Sequence, residues 1–126
     1  MEMEIVFPGG ARVDAHMGNL VVPTNQDGSA PAPFGLFLAS IGTCAGIYVL
    51  SFCQHRGLST DGIRIVQRVH SNPATRMIEQ IDLDIEVPPD FPEKYHEALV
   101  RAANQCAVKK HLESPPRFEV RTTVAV

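Results

Sequence analysis

The chain has no tryptophan, only two tyrosines, and three cysteines in 126 residues. Three is an odd and sparse set, whereas small secreted domains stapled by disulfides carry an even, denser one. A disulfide scaffold is thereby excluded, and reduced thiols in a cytoplasmic protein are expected. The opening Met1-Glu2-Met3-Glu4 is acidic and lacks the apolar stretch of a secretory leader, so none is expected. Basic charge is scarce too. Eleven Lys and Arg face fourteen Asp and Glu, for a net charge of -3 and a pI near 5.9. Lys109-Lys110 is the only adjacent basic pair, so nucleic acid is excluded as a partner. The five histidines, His16, His55, His70, His96 and His111, are scattered, and no Cys/His spacing reads as a zinc site. No metal or cofactor is expected.

What is present fits one globular domain spanning residues 1–126, with 44% hydrophobic and 20% charged residues. The longest apolar run, Phe34 to Cys53, holds twenty residues without a charge. That is enough to cross a bilayer, and Gly42-x-x-x-Gly46 is a spacing found in packed membrane helices. Neither flank carries a basic cluster, and the other elements alternate like those of a soluble fold. A helix apolar all round is equally expected at the centre of an α+β domain or dimer, where its small residues let backbones approach. No membrane partner is expected.

The order of elements reads βββ-α-ββ-α-β. Residues 2 to 7, Arg12 to His16 and Asn19 to Val22 read as a meander punctuated at Pro8-Gly9-Gly10 and Gly18. A Gly- and Pro-rich loop leads to Pro33, which suits the first turn of a helix running to about Arg56, with Gly57 as its stop. Ile63 to Val69 and Ile81 to Val87 alternate as a hairpin joined through Asn72-Pro73-Ala74-Thr75, with Asp82, Asp84 and Glu86 facing water. Asp90-Phe91-Pro92-Glu93 has the form of a capping box. The following helix shows the stripe Tyr95, Ala98, Leu99, Ala102, Ala103, Cys106, and Phe118 to Val126 alternates as a last strand.

Cys44 thus falls inside the first helix and Cys106 at the apolar end of the second. Two inward thiols far apart in sequence point to redox chemistry, provided the two helices meet. A buried cysteine is otherwise a small hydrophobe. Cys53 is read that way: nine residues beyond Cys44, it lies half a turn out of phase and about 13 Å along the axis, too far to bridge. Tyr48, one turn after Cys44, is either a donor to the thiol or a core aromatic. His111, with Lys109 and Lys110, reads as a solvated helix end.

Pro33-Phe-Gly-Leu-Phe-Leu-Ala-Ser-Ile-Gly-Thr-Cys44 resembles the P-x-E-L-x-x-A-x-x-x-x-C segment of the OsmC/Ohr family. Gln54-His-Arg-Gly-Leu58 is similar to that family's helix exit, and Ala102 to Leu112 resembles its A-x-x-C-P-V-H-x-x-L motif. The resemblance implies the OsmC/Ohr-like α+β fold, with a long central buried helix in an intertwined homodimer. It also implies thiol-dependent reduction of organic hydroperoxides. Cys44 would be the peroxidatic thiolate, Cys106 the resolving thiol, and an external dithiol the reductant. An N-terminal arginine, here Arg12, would be the cation that activates Cys44, because the thiol sits three turns inside an apolar helix that offers it no positive charge. The chain departs from the pattern twice: Phe34 and Gly35 occupy the positions of the family's glutamate, and Ala107 that of its proline. The first departure keeps a second reading open, a non-catalytic dimer holding a small lipophilic molecule in an apolar interface pocket.

Overall fold

The computed structural model describes residues 1–125 and has an α+β architecture. The chain forms two compact units, Met1–Ser40 and a second from Ile41 onward.

The first unit is an antiparallel meander of β1 (Glu4–Gly9), β2 (Arg12–Met17) and β3 (Leu20–Asn25). Its turns fall where the glycines predict. Gly10 and Gly18 both adopt φ 57°, a left-handed conformation that glycine reaches without the Cβ clash other residues meet. Thr24 closes the meander by donating its hydroxyl to the Val13 carbonyl at 2.5 Å. Asp14 is buried on β2 and takes the Arg12 guanidinium on one carboxylate oxygen at 2.5 Å.

Helix α1 covers Pro33–His55, as its proline start and glycine stop predict. Its end is a Schellman motif. Gly57, at φ 63°, donates to the Gln54 carbonyl, and Leu58 donates back to the Cys53 carbonyl at 2.9 Å. Within the single chain one face of the helix is buried. Ile41, Ala45, Val49 and Cys53, each four residues from the last, form one buried stripe, while Ile47 and Leu50 are exposed.

In the second unit β4 (Arg64–Ser71) and β5 (Ile78–Glu86) form an antiparallel hairpin. Ile65 and Ile85 pack inward. On the outer face Arg64 pairs with Glu86, Arg68 with Asp84 and His70 with Asp82, so the acids read as solvated are also cross-strand partners. Val49 and Cys53 of α1 meet Phe91 and Leu99 to make the core.

Three expectations are corrected. The capping box at Asp90 does not form. Pro92 precedes a short 3-10 turn (Glu93–Tyr95) without any side-chain cap, because Phe91 turns into the core and its amide bonds the Pro88 carbonyl. The second helix ends early: α2 covers His96–Ala103, and a separate α3 covers Ala107–Glu113. Finally, Phe118 to Ala125 form no strand, and Val126 lies outside the described residues. Phe118, Val120 and Val124 are 83%, 96% and 91% exposed, so alternation without a neighbouring strand edge leaves the backbone unpaired.

Leu99 is 1% exposed and anchors α2 on the α1 stripe. Leu99→Ala should cost about 2–5 kcal/mol of unfolding free energy, the usual range for a fully buried leucine. Urea denaturation measures it, and a loss below about 1 kcal/mol would contradict this packing.

Candidate active site

The fold brings Cys44 and Cys106 together; all three cysteines are free thiols. Cys44 lies beside the buried stripe of α1 and is half-buried, whereas Cys106 is 2% exposed. Cys106 is not on a helical stripe. It occupies the connection after α2, with φ −47° and ψ 122°, and is the N-cap of α3. Its sulfur accepts the Lys109 amide at 3.4 Å and faces the Ile41 carbonyl at 3.9 Å, one turn before Cys44 on α1.

The first amides of a helix have no partner within it. At the start of α3, Lys110 donates to the Cys106 carbonyl and Lys109 to the Cys106 sulfur. The Val108 and Ala107 amides at this helix start favour the thiolate form of Cys44. Cys44 is therefore pulled below the ordinary thiol range, by the Val108 amide first, then the Cys106 thiol and the Ala107 amide, with partial burial opposing. The Cys106 thiol faces the Ile41 carbonyl and also helps to lower the Cys44 thiol. What the sequence analysis missed is that a second helix supplies the donors.

Cys53 behaves oppositely. It is fully buried in the core, and that burial pushes its thiol up, with Arg56 nearby opposing weakly. The reading of Cys53 as structural agrees with this placement. Among the described residues, Tyr48 makes no hydrogen bond to either sulfur. His111 is turned to the Ala107 carbonyl at 2.7 Å, and Lys109 to Asn104 at 2.9 Å.

Arg12 is held by Asp14, an acid that the sequence analysis did not assign to it. Asp14 is the only buried carboxylate among the described residues, and its second oxygen has no partner there.

A cleft of about 440 Å³ opens beside Cys106 within the second unit. Ile41, Ile81, Leu83, Val100 and Leu112 make it apolar, Cys106 lines it, and Asn104 and Lys109 add polar groups. No group of three or more His, Cys, Asp or Glu able to hold a metal occurs among the described residues.

Fold and site together define an α+β protein with a paired-thiol centre. A family model described as OsmC-like protein matches residues 26–121, and the chain belongs to that family. No curated protein matches the chain. Solved structures with a similar fold include a hypothetical protein from Aquifex aeolicus VF5 (TM-score 0.73, 19% identity, 90% of this chain and 87% of that one). Another is an OsmC like protein from Mycoplasma pneumoniae (TM-score 0.70, 11% identity, 90% and 87%). The organic hydroperoxide resistance protein OhrB of Bacillus subtilis aligns with TM-score 0.50 and 16% identity over 88% of this chain and 90% of that one.

The two environments on one helix make a direct prediction. Alkylation by iodoacetamide at neutral pH should modify Cys44 at least about tenfold faster than Cys53, because only the thiolate reacts. The Cys44 rate should rise with pH through a midpoint below that of a free thiol, and Cys53 should react only on unfolding. Peptide mass spectrometry resolves the two sites, and equal rates would contradict the assignment.

Proposed function

We propose that this protein reduces organic hydroperoxides, with Cys44 and Cys106 as its redox pair. The observation that carries the reading is that two free thiols lie near each other, with the Cys44 thiol held below the ordinary range. The Cys44 thiolate attacks the terminal oxygen of the hydroperoxide. The O–O bond breaks, the departing alkoxide takes a proton and leaves as the alcohol, and Cys44 becomes a sulfenic acid. The Cys106 sulfur then attacks the Cys44 sulfur, water leaves, and a disulfide forms. An external dithiol returns both thiols and is itself oxidised. The apolar cleft beside Cys106 favours a lipophilic peroxide. The OhrB relative, named for organic hydroperoxide resistance, points to the same chemistry.

In this reading Arg12 is the cation for the thiolate, oriented by Asp14 rather than by the acid missing at Phe34 and Gly35. The missing acid favours a second reading, in which the cleft holds a lipophilic molecule and no peroxide is consumed.

Cumene hydroperoxide and dithiothreitol separate the two. The wild type should consume peroxide and, without reductant, lose two thiols per chain. Cys44→Ser should abolish turnover, Arg12→Met should slow it by at least about tenfold, the effect of one pKa unit or more on the thiolate, and Cys53→Ser should leave it intact. Cys106→Ser should stop after one turnover with Cys44 trapped as sulfenic acid or a mixed disulfide. A wild type that binds the peroxide without consuming it would leave the binding reading in place.

The working unit is proposed to be a homodimer. Ile47 and Leu50 are exposed on α1, and the apolar residues of the unpaired segment from Phe118 to Val124 call for a partner surface. Light scattering at micromolar concentration should give twice the 13.8 kDa chain mass. A clean monomer would refute the dimer.

A further inference from the structure

The cleft beside Cys106 is apolar along most of its wall, where Ile81, Leu83, Val100 and Leu112 line it, but among the described residues it carries one cation, Lys109. The Lys109 ammonium donates to the Asn104 side-chain oxygen at 2.9 Å, and Asn104 lines the cleft too. An ammonium has three N–H donors, and this bond uses one. Glu113, one turn on, lies 4.0 Å away, beyond hydrogen-bond reach. Asn104 therefore holds the charge at the cleft wall without neutralising it. The other charged group on the wall is Glu79, at the hairpin end of β5, whose carboxylate accepts the Asn72 side-chain amide at 2.7 Å. A ligand lying in the cleft meets a positive charge from α3 and a negative one from β5.

We propose that the cleft selects a free amphipathic carboxylate, an apolar chain with one anionic end, and that Lys109 is the residue that sets this preference. The chain lies against the apolar wall, the carboxylate takes the Lys109 ammonium, and Glu79 repels it from the hairpin end. Lys109 stands where the A-x-x-C-P-V-H-x-x-L motif has its histidine. An imidazole is mostly neutral at neutral pH, whereas a lysine side chain is a full cation there. The preference for an anion is therefore a property of this chain rather than of the motif. The inference rests on the reading of the cleft as the place where a lipophilic molecule sits, but not on that molecule being a peroxide.

Burial of the chain supplies the affinity, and the charge supplies the choice between ligands of equal length. The Lys109 side chain is 47% exposed, so solvent screens its pull. The expected preference is roughly fivefold, the upper end of what an exposed ion pair contributes. Lys110 provides the control. It is exposed and does not line the cleft, yet its removal changes the net charge of the protein by the same amount. Lys109→Met keeps an unbranched side chain on the wall and deletes the ammonium, and Lys109→Arg keeps a cation.

The experiment is calorimetric titration of the reduced full chain with decanoate and with decanol, with thermal melting as the fold control. The wild type should bind decanoate about fivefold tighter than decanol at low salt, and the difference should shrink as salt screens the charge. Lys109→Met should bring decanoate down to the level of decanol and leave decanol unchanged. Lys109→Arg should keep the preference, and Lys110→Met should match the wild type. Equal affinities of the wild type for the two ligands, no binding of either, or equal losses in Lys109→Met and Lys110→Met would overturn the proposal. A decanoate preference in a chain that consumes no cumene hydroperoxide would sink the peroxidase reading alone. Equal affinities in an active peroxidase would sink the anion preference alone.

Discussion

The start of α3 imposes the constraint on which the site depends. A helix of seven residues leaves its first amides without internal acceptors, and none of the usual capping oxygens is available, because the N-cap is a cysteine. Sulfur takes their place. Cys106 receives Lys109 through its side chain and Lys110 through its carbonyl, and the neighbouring Val108 and Ala107 amides lower the Cys44 thiol. Sulfur is a weak acceptor when neutral and a much better one as a thiolate, since hydrogen bonds to an ionised group are stronger. The need of the helix for acceptors and the need of the thiol for donors are the same interaction viewed from its two ends.

Two cysteines of one helix separate under this constraint. Cys53 belongs to the buried stripe that runs from Ile41 through Ala45 and Val49, and desolvation keeps it a thiol. Cys44 stands at the border of that stripe, where it is half-buried and reached by amides from another element. Burial alone would have made Cys44 inert as well. A partly exposed sulfur with directed donors is the environment in which a thiol reacts, and the apolar cleft lined by Cys106 gives a lipophilic molecule a place beside it.

Much of the fold was legible in the chain. Alternation located the hairpin whose inner face carries Ile65 and Ile85, the glycines located the turns of the meander, and Pro33 and Gly57 bounded α1. The break between α2 and α3 was not legible. The apolar spacing runs unbroken from Tyr95 to Cys106, and Asn104-Gln105 holds neither proline nor glycine to mark an end. Cysteine is not a common cap, so nothing local announced that Cys106 begins a helix rather than ending one. The last strand failed for the complementary reason. Alternation from Phe118 onward states which residues would share a face, but a strand exists only where another edge accepts its backbone.

The sequence by itself indicated the family and most of the elements, and singled out Cys44 and Cys106 as candidates, because periodicity and motif spacing are properties of the chain taken locally. Only the tertiary structure decided how Cys44 is made acidic. That depends on amides from residues more than sixty positions away, and a backbone N–H carries no letter in a sequence except where proline removes it. The same holds for Arg12, whose partner proved to be Asp14, two residues along the same strand, rather than an acid after Pro33. Local pattern names the groups that can react, and their acidity is set by whatever donors the fold brings to them.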